Sequence, residues 1–129
     1  MNSEYLKMKI NKVLPFQPQE TEIGNCEYKR KINLFKTNKS RLEKRRTQML
    51  YRIYEGKGRA TYYIGVEDSG EPLGITYDEL QQTLQNLRYI SDGLGAIWTS
   101  VEIYDGISSN SYTGKIHIYL DNQHNFSVL

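Results

Sequence analysis

Two helix-start signals constrain the fold of this chain more than any other feature. The tetrapeptides SRLE (40–43) and TYDE (76–79) each place a hydroxyl residue three positions before a glutamate, the pattern of a reciprocal capping box. One apolar stripe at helical spacing follows each signal, so each helix should bury one side against a common sheet. The stripes consist of Leu42, Met49, Leu50 and Ile53 in the first helix and of Leu80, Leu84, Leu87 and Ile90 in the second.

Alternation of apolar and polar residues predicts five strands around these helices. They lie at 26–34, 60–66, 72–75, 96–104 and 115–120. The resulting order, β-α-β-β-α-β-β, predicts an α+β fold with a single mixed sheet and two helices packed on one face. In the fourth strand, the residues expected on the buried face are Ile97, Thr99, Val101 and Ile103.

The domain boundaries follow from changes in this pattern. Residues 1–24 contain Pro15 and Pro18 and show no sustained apolar period, which predicts a flexible leader. Residues 25–121 hold all the predicted helices and strands, and residues 122–129 are expected to form a tail. A chain of 129 residues suits one such α+β domain.

An acidic turn, VEDSG at 66–70, follows the second predicted strand. Asp68 can bond the backbone two residues on and Gly70 can take a positive φ, which favours a chain reversal. A second hypothesis is catalytic, because Glu27, Glu67 and Asp68 could converge on a divalent cation as in a metal-dependent nuclease. In the alternative, Asp68 serves the turn and the two glutamates pair with nearby lysine or arginine.

The charge is divided unevenly along the chain. Residues 1–64 carry 15 Lys and Arg against 6 Asp and Glu, whereas residues 65–129 carry 2 against 9. Such asymmetry indicates a basic surface suited to nucleic acid, with a solvated helix face as the alternative interpretation. The candidate nucleic-acid-binding residues are Lys29, Lys31, Lys39, Arg41, Lys44, Arg45 and Arg52.

Several function classes lack their sequence signals here. The single cysteine, Cys26, cannot form an internal disulfide or a cysteine-based zinc cluster, which favours a reducing compartment. No apolar run approaches the length of a membrane span, so we expect a cytoplasmic location. The sequence also lacks a P-loop, a dinucleotide fingerprint and a zinc-protease motif. We therefore expect no metal site and no cofactor in this chain.

The stretches EYKRKINL, SRLEKRRTQMLYRIYEGKGRATYYIGVEDSGEPLGIT and YDELQQTLQNL resemble the segment before the GTPase domain in GTP-binding proteins one and two. These translational GTPases are relatives of elongation factor 1-alpha. The resemblance covers residues 23–105 and implies an accessory domain of a parent GTPase that would bind GTP and magnesium. Because this sequence has no P-loop, we expect either an excised N-terminal domain or a short relative of that family.

A weaker resemblance links the chain to the AlbA/Schlafen-type core, on the residues EYK at 27–29 and IGVEDSG at 64–70. This resemblance implies RNA binding or cleavage, with Glu27, Lys29 and Asp68 as the residues of interest. The sequence thus leaves three functions open. The first is a non-catalytic domain that helps a GTPase engage RNA or the ribosome, the second is a metal-dependent ribonuclease, and the third is a protein-interaction module that meets the GTPase domain.

Overall fold

The computed structural model describes residues 6–33 and 38–121, which form one mixed sheet and two helices. The strands follow the order β1-β4-β5-β3-β2, with parallel pairs at both edges and antiparallel pairs in the centre. Neither helix in these ranges is long and apolar enough to cross a bilayer. The elements are β1 (Leu6–Val13), β2 (Cys26–Lys29), α1 (Lys39–Glu55), β3 (Arg59–Ile64), α2 (Tyr77–Asp92), β4 (Ile97–Asp105) and β5 (Tyr112–Tyr119).

Both helices cover the same face of the sheet, which confirms the predicted α+β class with a single mixed sheet. The apolar stripes of α1 and α2 join the inward side chains of β3, β4 and β5 in one buried cluster. Removal of this apolar area from water is the main source of stability. Fully buried members of the cluster include Met49, Ile53, Ile64, Leu80, Leu87 and Ile116.

The two helices begin in different ways. At α2, the predicted capping box is present: Thr76 Oγ1 accepts from Glu79 N at 3.1 Å, and the Glu79 carboxylate accepts from Thr76 N at 3.0 Å. At α1, the cap is Asn38, two residues before the predicted Ser40, and its side-chain oxygen accepts from Arg41 N at 3.0 Å. Asparagine is as good a helix cap as serine, so the earlier start is physically reasonable.

The strand β1 lies inside the segment 1–24, for which the sequence predicted no regular structure. Its residues pair in parallel with β4, in a register that joins Ile10 to Tyr104. Met8 and Ile10 are half-buried whereas Lys7 and Lys9 are exposed, the period of two expected of a strand. The leader therefore supplies an edge strand. Residues 1–5 of the leader and the predicted tail at 122–129 lie outside the described residues.

After β1, residues 14–25 cross the face of the sheet opposite the helices, and we call them the crossing segment. Leu14 packs there in a second, smaller buried cluster with Tyr28, Tyr63, Val66 and Tyr104. The rings of Tyr28 and Tyr63 meet edge to face, with their centroids 5.4 Å apart. Both faces of the sheet are thus covered, one by the helices and the other in part by the crossing segment.

The acidic turn at 67–70 reverses the chain and also docks the crossing segment. Gly70 N donates to Glu67 O at 2.8 Å to close the turn. The turn carbonyls then accept from the crossing segment, Gly70 O from Gln17 N at 2.9 Å and Asp68 O from Glu20 N at 2.7 Å. The predicted chain reversal is therefore present, with a docking role that the sequence did not indicate.

The predicted strand at 72–75 is absent. Only Ile75 forms a bridge, to Tyr112, and it lies outside any strand of the sheet. Pro72 has no N–H to donate, and Gly74 adopts a φ of +95°, a left-handed conformation that a strand does not use. The segment instead makes a loop that leads directly into α2.

A bulge in β4 changes which of its residues are buried. The register with β5 shifts between Trp98 and Ser100, so the side-chain alternation slips by one residue. Ile97 is 55% exposed and Thr99 is exposed as well, while Trp98 is buried and donates from Nε1 to Ser91 Oγ at 3.0 Å. The prediction that Ile97 and Thr99 face the core is therefore wrong, although Val101 and Ile103 beyond the bulge are buried as expected.

Candidate nucleic-acid interface

A groove of about 300 Å³ runs between the edge strand β2 and the first turns of α1. On the helix, its lining residues follow a spacing of three, four and seven positions from Arg41, which places them on one side. Among the residues that the structure describes, no carboxylate lines it. We call this the basic groove, and its lining residues are Lys29, Arg41, Lys44, Arg45 and Gln48.

Arg45 contributes a buried donor beside the basic groove. Its Nε is buried and has no hydrogen-bond partner in the part of the chain that the structure describes. The field of Arg45 also reaches the buried phenol of Tyr62 on β3. Burial raises the pKa of Tyr62 above its ordinary value, a nearby Glu27 adds to the rise, and Arg52 and Arg45 oppose it. Tyr62 therefore stays uncharged and adds no negative charge near Arg45.

Arg52 lies one turn beyond the groove on the same helix, but it is turned into the protein. Its Nε donates to Glu27 Oε1 at 2.8 Å, and its two terminal nitrogens donate to the backbone carbonyls of Thr21, Ile23 and Gly24 at 2.8–3.1 Å. The side chain is 6% exposed. The assignment of Arg52 to an exposed basic face is therefore wrong, because its guanidinium is buried and holds β2 and the crossing segment.

The remaining predicted cations divide into two groups. Lys29, Arg41, Lys44 and Arg45 line the basic groove, and Lys29 also lies 3.3 Å from Glu27 Oε2. Lys31 and Lys39 are exposed but do not line it, and Lys31 Nζ pairs with Glu79 Oε2 at 3.2 Å. The structure thus brings four of the seven predicted residues together.

Two of the three acidic residues of the nuclease hypothesis lie beside cations. Glu27 is 3% exposed and bonded to Arg52, and Glu67 Oε2 lies 3.4 Å from Arg30 Nε. Asp68 belongs to the docking turn through its carbonyl oxygen. Among the described residues, no group of three or more His, Cys, Asp or Glu side chains is placed to hold a metal ion.

A further carboxylate, Glu20, completes the environment of Arg52. Its Oε2 accepts from Tyr28 N at 2.5 Å and lies 3.9 Å from Arg52. Partial burial raises the pKa of Glu20, and the negative charges of Glu27 and Asp68 raise it further. Sequence reasoning did not single out Glu20, because its position in the predicted leader gave no periodic signal.

Two residues of α1 were not among the predicted binding residues. Gln48 lines the basic groove, and its position seven residues after Arg41 is the signal that could have found it. Arg46 has a different role: its Nε and a terminal nitrogen donate to the carbonyls of Ile90 and Tyr89 at 3.1 and 2.9 Å. Arg46 thus caps the end of α2 and joins the two helices.

Comparison with known proteins finds GTP-binding protein 2 of mouse and of human, each 42% identical to this chain over 82 residues. The matched stretch is 64% of this chain and 13% of each relative, so the chain corresponds to a small part of their length. No protein-family model and no solved structure matches the chain, and the resemblance to the AlbA/Schlafen-type core stays a prediction. The predicted resemblance to a segment of a GTP-binding protein is confirmed.

Proposed function

We propose that this chain is a non-catalytic accessory domain of a translation-related GTP-binding protein, and that it helps the parent engage RNA or the ribosome in the cytoplasm. Similarity to part of GTP-binding protein 2 supports the first half of the proposal. The second half rests on the basic groove, which gathers four cations with no carboxylate among its lining residues. Such a surface attracts phosphates independently of base sequence.

The chemistry of GTP is assigned to the GTPase domain of the parent. This chain has no P-loop lysine to contact the β- and γ-phosphates of a nucleotide. GTP and magnesium would therefore bind elsewhere in the parent, and this domain would act by contact with RNA and with the GTPase domain. Purified chain should show no GTP turnover, and turnover that follows the protein through successive columns would contradict the non-catalytic role.

RNA binding is tested by fluorescence anisotropy with a labelled structured RNA over a series of salt concentrations. The affinity should fall steeply as salt rises, because each neutralised phosphate releases a counterion. Lys44→Glu should weaken binding strongly. Lys12→Glu is the matched control, since Lys12 is exposed on β1 at the opposite edge of the sheet from β2.

The same assay separates the other two functions. No detectable RNA binding at about 50 mM salt would contradict this proposal and favour a protein-interaction module, since phosphate contacts are strongest at low salt. Cleavage of the RNA that requires Mg²⁺ or Mn²⁺ and disappears in Asp68→Asn would instead support the ribonuclease hypothesis.

A further inference from the structure

We propose that the basic groove is a seat for one phosphate group of an RNA backbone and that Arg45 is its inner donor. This inference rests on the proposed function and makes it specific. It assigns recognition to one defined position between β2 and α1, and it separates Arg45 and Lys44 from the exposed Lys31 and Lys39 outside the groove.

The first argument is the unused donor of Arg45. A buried N–H without an acceptor is unfavourable, and more so when the group is charged. Among the described residues no side chain or carbonyl accepts from Arg45 Nε. An anionic oxygen in the groove would supply an acceptor once the Arg45 side chain turns toward it, so the unpaired donor favours a ligand that carries negative charge.

The second argument is that the buried carboxylate of Glu27 is already engaged by other cations. Glu27 gives Oε1 to Arg52 at 2.8 Å and Oε2 to Lys29 at 3.3 Å. Both of its oxygens therefore face cations on the side of Arg52 and β2, and Glu27 does not line the groove. The charge of Arg45 is left for an external partner.

The third argument concerns the kind of anion. Two guanidinium groups, one ammonium group and the amide of Gln48 stand within two turns of one helix, with Lys29 across from them. Guanidinium groups bond planar pairs of oxygens and are favoured where phosphate is recognised. Arg41 and Lys44 are exposed, so the groove opens to solvent along the helix and a phosphate within a longer polymer can enter it.

Arg52 marks where the phosphate site ends, because it lies on the same basic helix but does not line the groove. Its guanidinium donates hydrogen bonds to Glu27 and to three backbone carbonyls. Recognition should therefore stop at Gln48, and the turn that follows should be structural.

The test combines a binding assay with a direct probe of the Arg45 side chain. Arg45→Gln should weaken RNA binding by about tenfold or more, the loss expected when a hydrogen bond to a charged group is removed. Lys12→Gln, at the far edge of the sheet, removes the same charge and should change affinity by no more than about twofold to threefold. Lys44→Gln provides a second groove variant at an exposed position, so the test does not depend on the folding of Arg45→Gln.

In the second arm, inorganic phosphate is titrated into the ¹⁵N-labelled chain while the Nε resonance of Arg45 is followed. A saturable shift at Arg45, with competition between phosphate and RNA, is the expected result. If Arg45→Gln, Lys44→Gln and Lys12→Gln weaken RNA binding equally, the groove is not a specific phosphate site, although the chain still binds RNA in general. A shift of the Arg45 resonance with phosphate, but no RNA binding, would support a phosphate site in the groove. It would contradict both the assignment of this site to RNA and the proposed function. If neither a phosphate-dependent shift at Arg45 nor RNA binding is observed, both the phosphate site and the proposed function are wrong.

Discussion

Arg52 on α1 and Glu27 on β2 form a buried ion pair, with Arg52 Nε 2.8 Å from Glu27 Oε1. The same guanidinium bonds the carbonyls of Thr21, Ile23 and Gly24 in the segment that leads into β2. A buried charge is tolerated when it is paired and hydrogen-bonded, and Arg52 pairs with Glu27 and donates to three backbone carbonyls. One side chain thus joins the helix, the edge strand and the crossing segment.

Loss of this pair should destabilise the protein severely. Arg52→Gln leaves Glu27 buried without its main cation, and the expected decrease in the free energy of unfolding is about 3–5 kcal/mol. Urea unfolding followed by circular dichroism measures it. Lys44→Gln is the matched control on the same helix and should stay within about 0.5 kcal/mol of the wild type, because its side chain is exposed. Equal stability of the two variants would show that the ion pair contributes nothing.

The docking turn provides a second prediction, at Gly70. Its φ is +96°, and a Cβ there would overlap the carbonyl oxygen of Gln17. Gly70→Ala should therefore release the crossing segment, and hydrogen exchange of the Gln17 and Glu20 amides should accelerate. Gly95→Ala is the control, since Gly95 has a φ of +74° but open space around its Cβ position.

Backbone strain alone should cost Gly95→Ala about 1–2 kcal/mol. Gly70→Ala should cost more, because steric overlap adds to the same strain. Slow exchange at Gln17 and Glu20 in Gly70→Ala would mean that the turn does not hold the crossing segment.

The bulge in β4 and the packing of α2 are tested together by two truncations. Leu87 is fully buried in the main cluster, so Leu87→Ala should lower the free energy of unfolding by about 2–5 kcal/mol. Ile97 precedes the bulge and is exposed, so Ile97→Ala should change it by less than about 0.5 kcal/mol. A large loss of stability in Ile97→Ala would show that Ile97 faces the core, as the uninterrupted alternation in the sequence predicted.

His117 on β5 should make stability depend on pH. Partial burial, with a smaller contribution from Lys115, lowers the pKa of His117 below the ordinary value of 6.5, against a weak opposing effect of Glu102. The unfolded chain therefore takes up the proton first as the pH falls, and stability present above pH 6.5 is lost below it. In His117→Gln, unfolding midpoints measured from pH 7.5 down to about 5 should lose this component of the decline. An unchanged pH profile would exclude His117 as its source.

Local signals in the sequence predicted the helices and the central strands well. Thr76 and Glu79 cap α2 as expected because a capping box involves only neighbouring residues. The bulge after Trp98 was not predictable by counting alternation, since it depends on the register with β5. The strand β1 did carry a signal, the alternation of Met8 and Ile10 with lysines, but it spans few residues and its pairing is decided by β4 far along the chain.

The candidate site was predicted in part for a similar reason. Helical spacing placed Arg41, Lys44 and Arg45 together, and the structure places Lys29, a predicted residue of the preceding strand, beside them. The same spacing placed Arg52 with them. Whether an arginine faces solvent or a buried carboxylate depends on a residue from another element, here Glu27, and a single sequence does not reveal that pairing.

The order of strands in the sheet has a consequence for the timing of folding. Both edge strands, β1 and β2, come from the early part of the chain, while the three central strands come after α1. During synthesis β1 has no partner until β4 has been made, and parallel pairing over such a distance is slow. The residues of β1 leave the ribosome well before those of β4 and should thus reach their native places late, so a nascent-chain protease would cut β1 until β4 emerges.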